Sequence, residues 1–209
     1  MKIHHPLSQR LAIGSICVLV AGCLFRPANV TTRQFVLKPA LATSPSRDRS
    51  PLAVGLGAIK FPDYLLRSSM AVRKGDHEIE YLENSLWAER LDRSFQRTLA
   101  ANLMSLLPGS RIQQSAWQSS EVTLAAFVNV ERLDVDAQGN GTLVAHWQIE
   151  TPDRRQVLKS GECNLNKSGP PPFANPEALV VTLSDLTAQF SEALAQAIRD
   201  CASSGAGAH

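Results

Sequence analysis

The chain has 209 residues, 44% of them hydrophobic, with 21 lysines and arginines against 19 aspartates and glutamates. This length suits one domain with a real apolar core. Lys2 and Arg10 lie at the start of the chain, and without them acids and bases balance, leaving no electrostatic footprint for nucleic acid or an anionic membrane surface.

The opening MKIHHPLSQR carries two basic residues and no acid, and an apolar stretch runs from Leu11 to Val20. The apolar run, ended by Arg26 and Pro27, falls short of the about 20 residues that a membrane-spanning helix needs. Basic, apolar and then small residues are the order of a secretory signal. Val20-Ala21-Gly22-Cys23 resembles the bacterial lipobox, with valine where leucine is usual. The resemblance implies removal of residues 1–22 and acylation of Cys23, whereas Cys17 follows the bulky Ile16 and does not fit. A plain secretory signal cut near Gly22 is the other reading. Each lipid methylene buried is worth about 0.8 kcal/mol, so two or three acyl chains would hold the protein on a bilayer. Leu24, in place of the aspartate typical of inner-membrane lipoproteins, implies the outer membrane, facing the periplasm.

Residues 23–33 then read as a lipidated tether. A short β-type run at 34–38 (QFVLK) is followed by a Pro/Ser-rich loop, and 52–60 (LAVGLGAIK) reads as a buried strand. The two glycines of that strand suggest close backbone packing rather than a phosphate loop, since no phosphate-binding lysine pattern follows. Alternation at 69–73, a turn at Lys74-Gly75-Asp76 and an extended run through Tyr81 predict a β-hairpin. Trp87, Leu91, Phe95, Leu99, Leu103 and Leu107 recur every fourth position and predict an amphipathic helix stopped by Pro108-Gly109. Strands are expected at 122–134, 142–151 and 156–165, the first two joined by a turn with positive-φ residues at 136–141. Asn175 can cap, and Pro176 can open, a helix lined by Leu179, Leu183, Leu186, Phe190, Leu194 and Ile198. Residues 202–209 read as a disordered tail. Two one-faced helices with strands between them predict a single α/β domain over 34–201, a mixed or antiparallel sheet covered by both helices.

A search for chemistry finds no carrier of catalysis and no cofactor motif. His146 alternates with core positions of a strand, and His77 sits among the charged residues of a turn. Asp63, Asp76, Glu78 and Glu80 read as a solvated charge run, and there is no nucleophile elbow, P-loop or His-Glu-x-x-His. Cys163 and Cys201 could pair in a disulfide or stand as small apolar fillers. Neither histidine lies at a metal-ligand spacing from them, so no metal site is expected.

FPDYLLR at 61–67, MAVR at 70–73, Glu80-Tyr81, Asn84, Trp87-Ala88-Glu89 and Leu91 together resemble the signature of the PqiC-like ABC-type transport auxiliary lipoproteins. The strand from Phe127 to Asp134, the strand from Leu143 to Trp147 and the leucine-rich last helix follow in that family's order. Leu66 stands where the family often has aspartate, and Arg90 where it has proline. The resemblance implies a periplasm-facing lipoprotein, not an enzyme, that docks beside an MCE-domain protein and an inner-membrane permease in a system moving lipids or apolar solutes. Assembly of several copies would suit a symmetric partner. Tyr64 and Arg67 are the candidate partner-binding residues, of types that dominate interface energies. Alternatively Tyr64 packs on the sheet and Arg67 pairs with Asp63. Two other functions compete: an outer-membrane lipoprotein that chaperones or plugs a β-barrel, and a periplasmic hydrolase using His146 or His77.

Overall fold

The computed structural model describes residues 31–40, 52–114 and 116–205, so Cys17, Cys23 and the signal segment lie outside the described residues. The core of the fold is one eight-stranded sheet. Its strands are β1 (Arg33–Phe35), β2 (Ala53–Leu56), β3 (Ser69–Arg73), β4 (Ile79–Trp87), β5 (Arg111–Gln114), β6 (Leu124–Asp136), β7 (Asn140–Glu150) and β8 (Val157–Ser168). Two helices, α1 (Leu91–Leu106) and α2 (Pro176–Gly205), complete it. This is the mixed α/β domain that the sequence predicts.

Strand β6 organises the sheet. One side pairs along its length with β7, which pairs with β8. On the other side β6 meets β2 near its start and β3 near its end, both in parallel. Beyond these lie β5 beside β2, and β4 then β1 beside β3. The β6–β7 turn is built by Asp136, whose Oδ1 accepts the amides of Gln138 and Asn140 at 2.9 and 2.8 Å. Gly139 there has φ 99°, in the region that favours glycine.

The helical periodicity holds in three dimensions: Leu91, Phe95, Leu99 and Leu103 of α1 are wholly buried, as are Leu186, Phe190, Leu194 and Ile198 of α2. The helices meet through Phe95 and Phe190, whose ring centroids are 6.1 Å apart, and through Asn102, whose amide donates to Ser191 at 3.1 Å. Asn175 caps α2 by accepting the Glu177 amide at 3.2 Å, and Pro176 is the first helical residue, as expected. At the start of α1, Arg90 grips Asp92 at 2.8 Å and Asp92 accepts the Arg93 amide at 2.9 Å. An acid in the first turn also suits the positive end of the helix dipole.

Several elements differ from expectation, among them β2, which ends at Leu56 rather than 60, and β8, which runs to Ser168 rather than 165. The first strand is Arg33–Phe35 rather than 34–38, because Leu37 leaves the ladder to bury itself beside the helices. Its amide donates to Ser94 at 3.1 Å, and the Lys38 amide donates to Ser184 at 3.2 Å. Trp87 is buried but ends β4 instead of starting a helix, its amide donating to the Ser68 carbonyl at 2.7 Å. The strand β5 was not expected, and α2 continues through residues 202–205, which read as tail in the sequence. The two glycines of 52–60 do mark close packing: a Cβ on Gly55 would meet the Trp117 ring, and one on Gly57 the Phe127 ring.

Candidate functional site

The stretch 61–67 connects β2 to β3 and covers part of the sheet. Pro62, in extended conformation, sets up the single 3-10 turn Asp63–Leu65, in which the Leu65 amide donates to the Pro62 carbonyl at 3.0 Å. Phe61 packs edge-on against Phe95 at 5.4 Å, and Leu65 is buried, so both flanks of the turn are anchored in the core. Between these anchors, Tyr64 points across the sheet to Asp134.

Asp134 reaches that face because the ladder slips between Val130 and Arg132, a bulge that places Arg132 and Asp134 on the covered side while Leu133 and Val135 enter the core. Its side chain is fully buried. Oδ2 accepts from Arg73 Nε at 3.0 Å, Arg73 Nη2 at 2.7 Å and the Tyr64 hydroxyl at 3.0 Å, while Oδ1 accepts from Arg132 Nε at 2.9 Å. Three of the four bonds converge on Oδ2 and one on Oδ1, so the buried carboxylate is tied to three side chains. The cluster acts as a keystone that fixes the 61–67 turn to β3 and β6.

Burial above all, then the Asp134 charge and the hydrogen bond to it, push the Tyr64 hydroxyl up to about 12, with Arg73 opposing. Because the folded form keeps this proton better than the unfolded chain, the stabilisation is complete below pH 10 and is lost as pH rises from 10 to about 12. A shift of this size corresponds to about 2.7 kcal/mol, and partial exposure reduces the expected loss to about 1–2 kcal/mol. Denaturant titrations across that pH range should show the decline in the wild type, and Tyr64→Phe should remove this component of it.

The turn also fixes an exposed neighbour. Tyr81 donates to the Tyr64 carbonyl at 3.1 Å, and the Arg67 guanidinium lies over the Tyr81 ring at 4.8 Å. Thus Tyr64 is half-buried and held by Asp134, while Arg67 is exposed and stacked on Tyr81. Arg73, Tyr81, Arg132 and Asp134 are the partners that sequence reasoning did not assign to this site; all four were visible only as members of the family pattern.

The other candidates lie elsewhere. Cys163 faces the helices from β8, and Cys201 sits in the last turns of α2; both are free thiols. Lys159 of β8 meets Asp200 at 2.6 Å, and Cys163 is four residues further along the strand, about 13 Å away. Burial raises both thiols, and for Cys163 the neighbouring Trp147 indole partly offsets it. His146 is exposed on β7 and meets Glu131 at 3.1 Å. His77 lies exposed in the β3–β4 turn. Among the described residues no group of three or more His, Cys, Asp or Glu side chains is placed to hold a metal ion.

A cleft of about 1000 Å³ opens where the two helices end, lined by Leu106, Leu107, Leu124 and Leu158 with Arg199 and Cys201 at its wall. Arg199 there donates to the Leu106 carbonyl at 3.2 Å, closing the end of α1. Among the described residues, no helix is long and apolar enough to cross a membrane.

A model of the ABC-type transport auxiliary lipoprotein component family matches residues 35–195, covering β2 to β8, α1, most of α2 and the Asp134 keystone. The chain belongs to this family. An intermembrane transport lipoprotein, PqiC, of Escherichia coli K12 is 29% identical over 111 residues, and its Shigella flexneri counterpart matches equally. The match takes in 53% of the chain and spans about half (50%) of the length of these relatives. Among solved structures, an uncharacterized protein superposes with TM-score 0.67 and 21% identity, over 80% of this chain and 99% of its own. A protein from Xanthomonas campestris superposes with TM-score 0.65 and 11% identity, over 84% and 99%. These two establish that the auxiliary lipoprotein has a fold found in other proteins, and no more.

Proposed function

We propose that this auxiliary lipoprotein, held on a membrane by acyl chains at Cys23 and facing the periplasm, acts by docking a protein of its transport system rather than by catalysis. The partners would be an MCE-domain protein and, through it, an inner-membrane permease, in a route for lipids or other apolar solutes. Support comes from membership of the transport auxiliary family and from similarity to relatives named as intermembrane transport lipoproteins. The outer membrane is the expected site of anchoring, from Leu24.

The observation that carries the docking reading is the Arg67–Tyr81 stack. The Asp134 keystone, the Phe61 anchor and the Tyr81 hydroxyl immobilise the turn from which Arg67 projects, so an exposed arginine over an aromatic ring is presented with little conformational freedom left to lose. Binding opposed by little ordering entropy is stronger for the same contacts. A photoreactive residue at position 67 in intact envelopes should form an adduct with an MCE-type protein. An adduct with a β-barrel protein would instead favour the barrel-assembly reading, and no adduct would remove Arg67 from the docking face. Mass spectrometry of the processed chain should find acyl chains on Cys23, and a free thiol there would end the anchored reading.

A further inference from the structure

We propose that the end of the body at which α2 begins, on its helix side, rests on the bilayer, with Val36, Phe173 and Val181 as the apolar residues that meet the lipid surface. This rests on the reading of Cys23 as the anchor.

Large hydrophobic side chains that remain exposed in the described residues fall into two groups. Val36, Phe173 and Val181 are 45%, 43% and 55% exposed, and Met104, Val157 and Leu158 are 39%, 53% and 40% exposed. The first group sits around the start of α2. Arg33 reaches Glu177 at 3.4 Å and the Lys38 amide reaches Ser184, so the segment bearing Val36 runs alongside the turn bearing Val181, in the same direction as the helix. Phe173 lies in the loop that leads into that helix. Of the second group, Leu158 lines the cleft where the helices end, at the opposite pole, Val157 precedes it on β8, and Met104 lies in the last turn of α1.

The tether decides between them. Chain enters β1 from the pole where α2 starts. Ten residues link Cys23 to Arg33, a length of chain that reaches at most about 35 Å. Along α2, Glu177 and Asp200 are about 35 Å apart. Placing the cleft on the bilayer would lift Arg33 by that whole distance and demand a link with no slack. Placing the α2 start there demands almost none. Charge does not separate the two sides of this pole, since exposed Lys74 accompanies Asp76 and Glu78 on the sheet side and exposed Glu177 is paired with Arg33 on the helix side; the exposed apolar side chains lie beside α2, so the helix side is the one turned down.

The test uses the full-length, acylated protein in vesicles of phosphatidylethanolamine and phosphatidylglycerol containing a headgroup-proximal nitroxide lipid. In a Cys163→Ala, Cys201→Ala background, an environment-sensitive fluorophore is attached after Phe173→Cys, Val181→Cys or Val36→Cys, and after Leu158→Cys for comparison. Quenching at 173, 181 and 36, with position 158 unaffected, is the expected result. Protein that floats with the vesicles yet shows no quenching at those three positions, or equal quenching at 158, overturns the orientation while leaving the anchor intact. Protein that fails to float overturns the anchor, and the orientation falls with it.

Discussion

Replacing Asp134 with alanine should lower the unfolding free energy by about 3 kcal/mol, the lower end of what removal of one member of a buried ion pair costs. The lower end applies because the stranded partners are not sealed in: the Arg73 side chain is 20% exposed and that of Arg132 is 36% exposed, so both guanidinium groups can recover water. Tyr64 loses its acceptor at the same time, and with it the reason for the 61–67 turn to lie against β6. Urea denaturation should therefore show a lower midpoint, together with increased amide exchange in that turn and loss of any cross-link formed from position 67. Asp134→Asn keeps the shape but not the charge, and it should fall between alanine and wild type. Unchanged stability in the alanine variant would mean that the four hydrogen bonds contribute nothing net.

Phe95→Ala should be comparably severe, at about 3–5 kcal/mol. The ring is wholly buried and stacks against both Phe61 and Phe190, so its loss opens a void between α1, α2 and the cover turn that none of the three can fill alone. Because Phe61 is one anchor of the turn, the cavity should also loosen the Arg67–Tyr81 stack, 28 positions away in sequence from Phe95 to Arg67. The measurement is a denaturation midpoint combined with partner cross-linking: Phe95→Leu should recover most of both, by retaining apolar volume. A destabilised variant with undiminished cross-linking would show that core and docking turn are not coupled.

Much of this architecture was legible. The apolar fours of α1, the proline-opened α2 and the Gly/Asn turn between β6 and β7 each repeat one local rule over many residues, and each appears where the pattern places it. Trp87 misled because its spacing of four from Leu91 mimics a helix, while the chain turns between them at residues 88–90. β5 gave no signal: RIQQ is four residues of mostly polar side chains whose strand character comes only from pairing with β2. The keystone was the least visible. Tyr64 and Asp134 are 70 residues apart, and Asp134 faces the cover turn only because a bulge shifts the alternation of β6, which no periodicity reveals. The family signature named several of the right residues without saying that they touch.

Leu37 has a mechanical consequence. In any protein fastened by its N-terminal segment, tension on the link reaches the body first through the three-residue β1 and then through Leu37, which is buried with its amide on Ser94 and its carbonyl accepting from Thr98 at 3.4 Å. β1 lies parallel to β4, so a pull along it shears several ladder bonds together instead of peeling them one by one. A short strand followed by a buried leucine wedge is thus a fastening that passes load into the sheet through β4 and into both helices through Leu37 and Lys38.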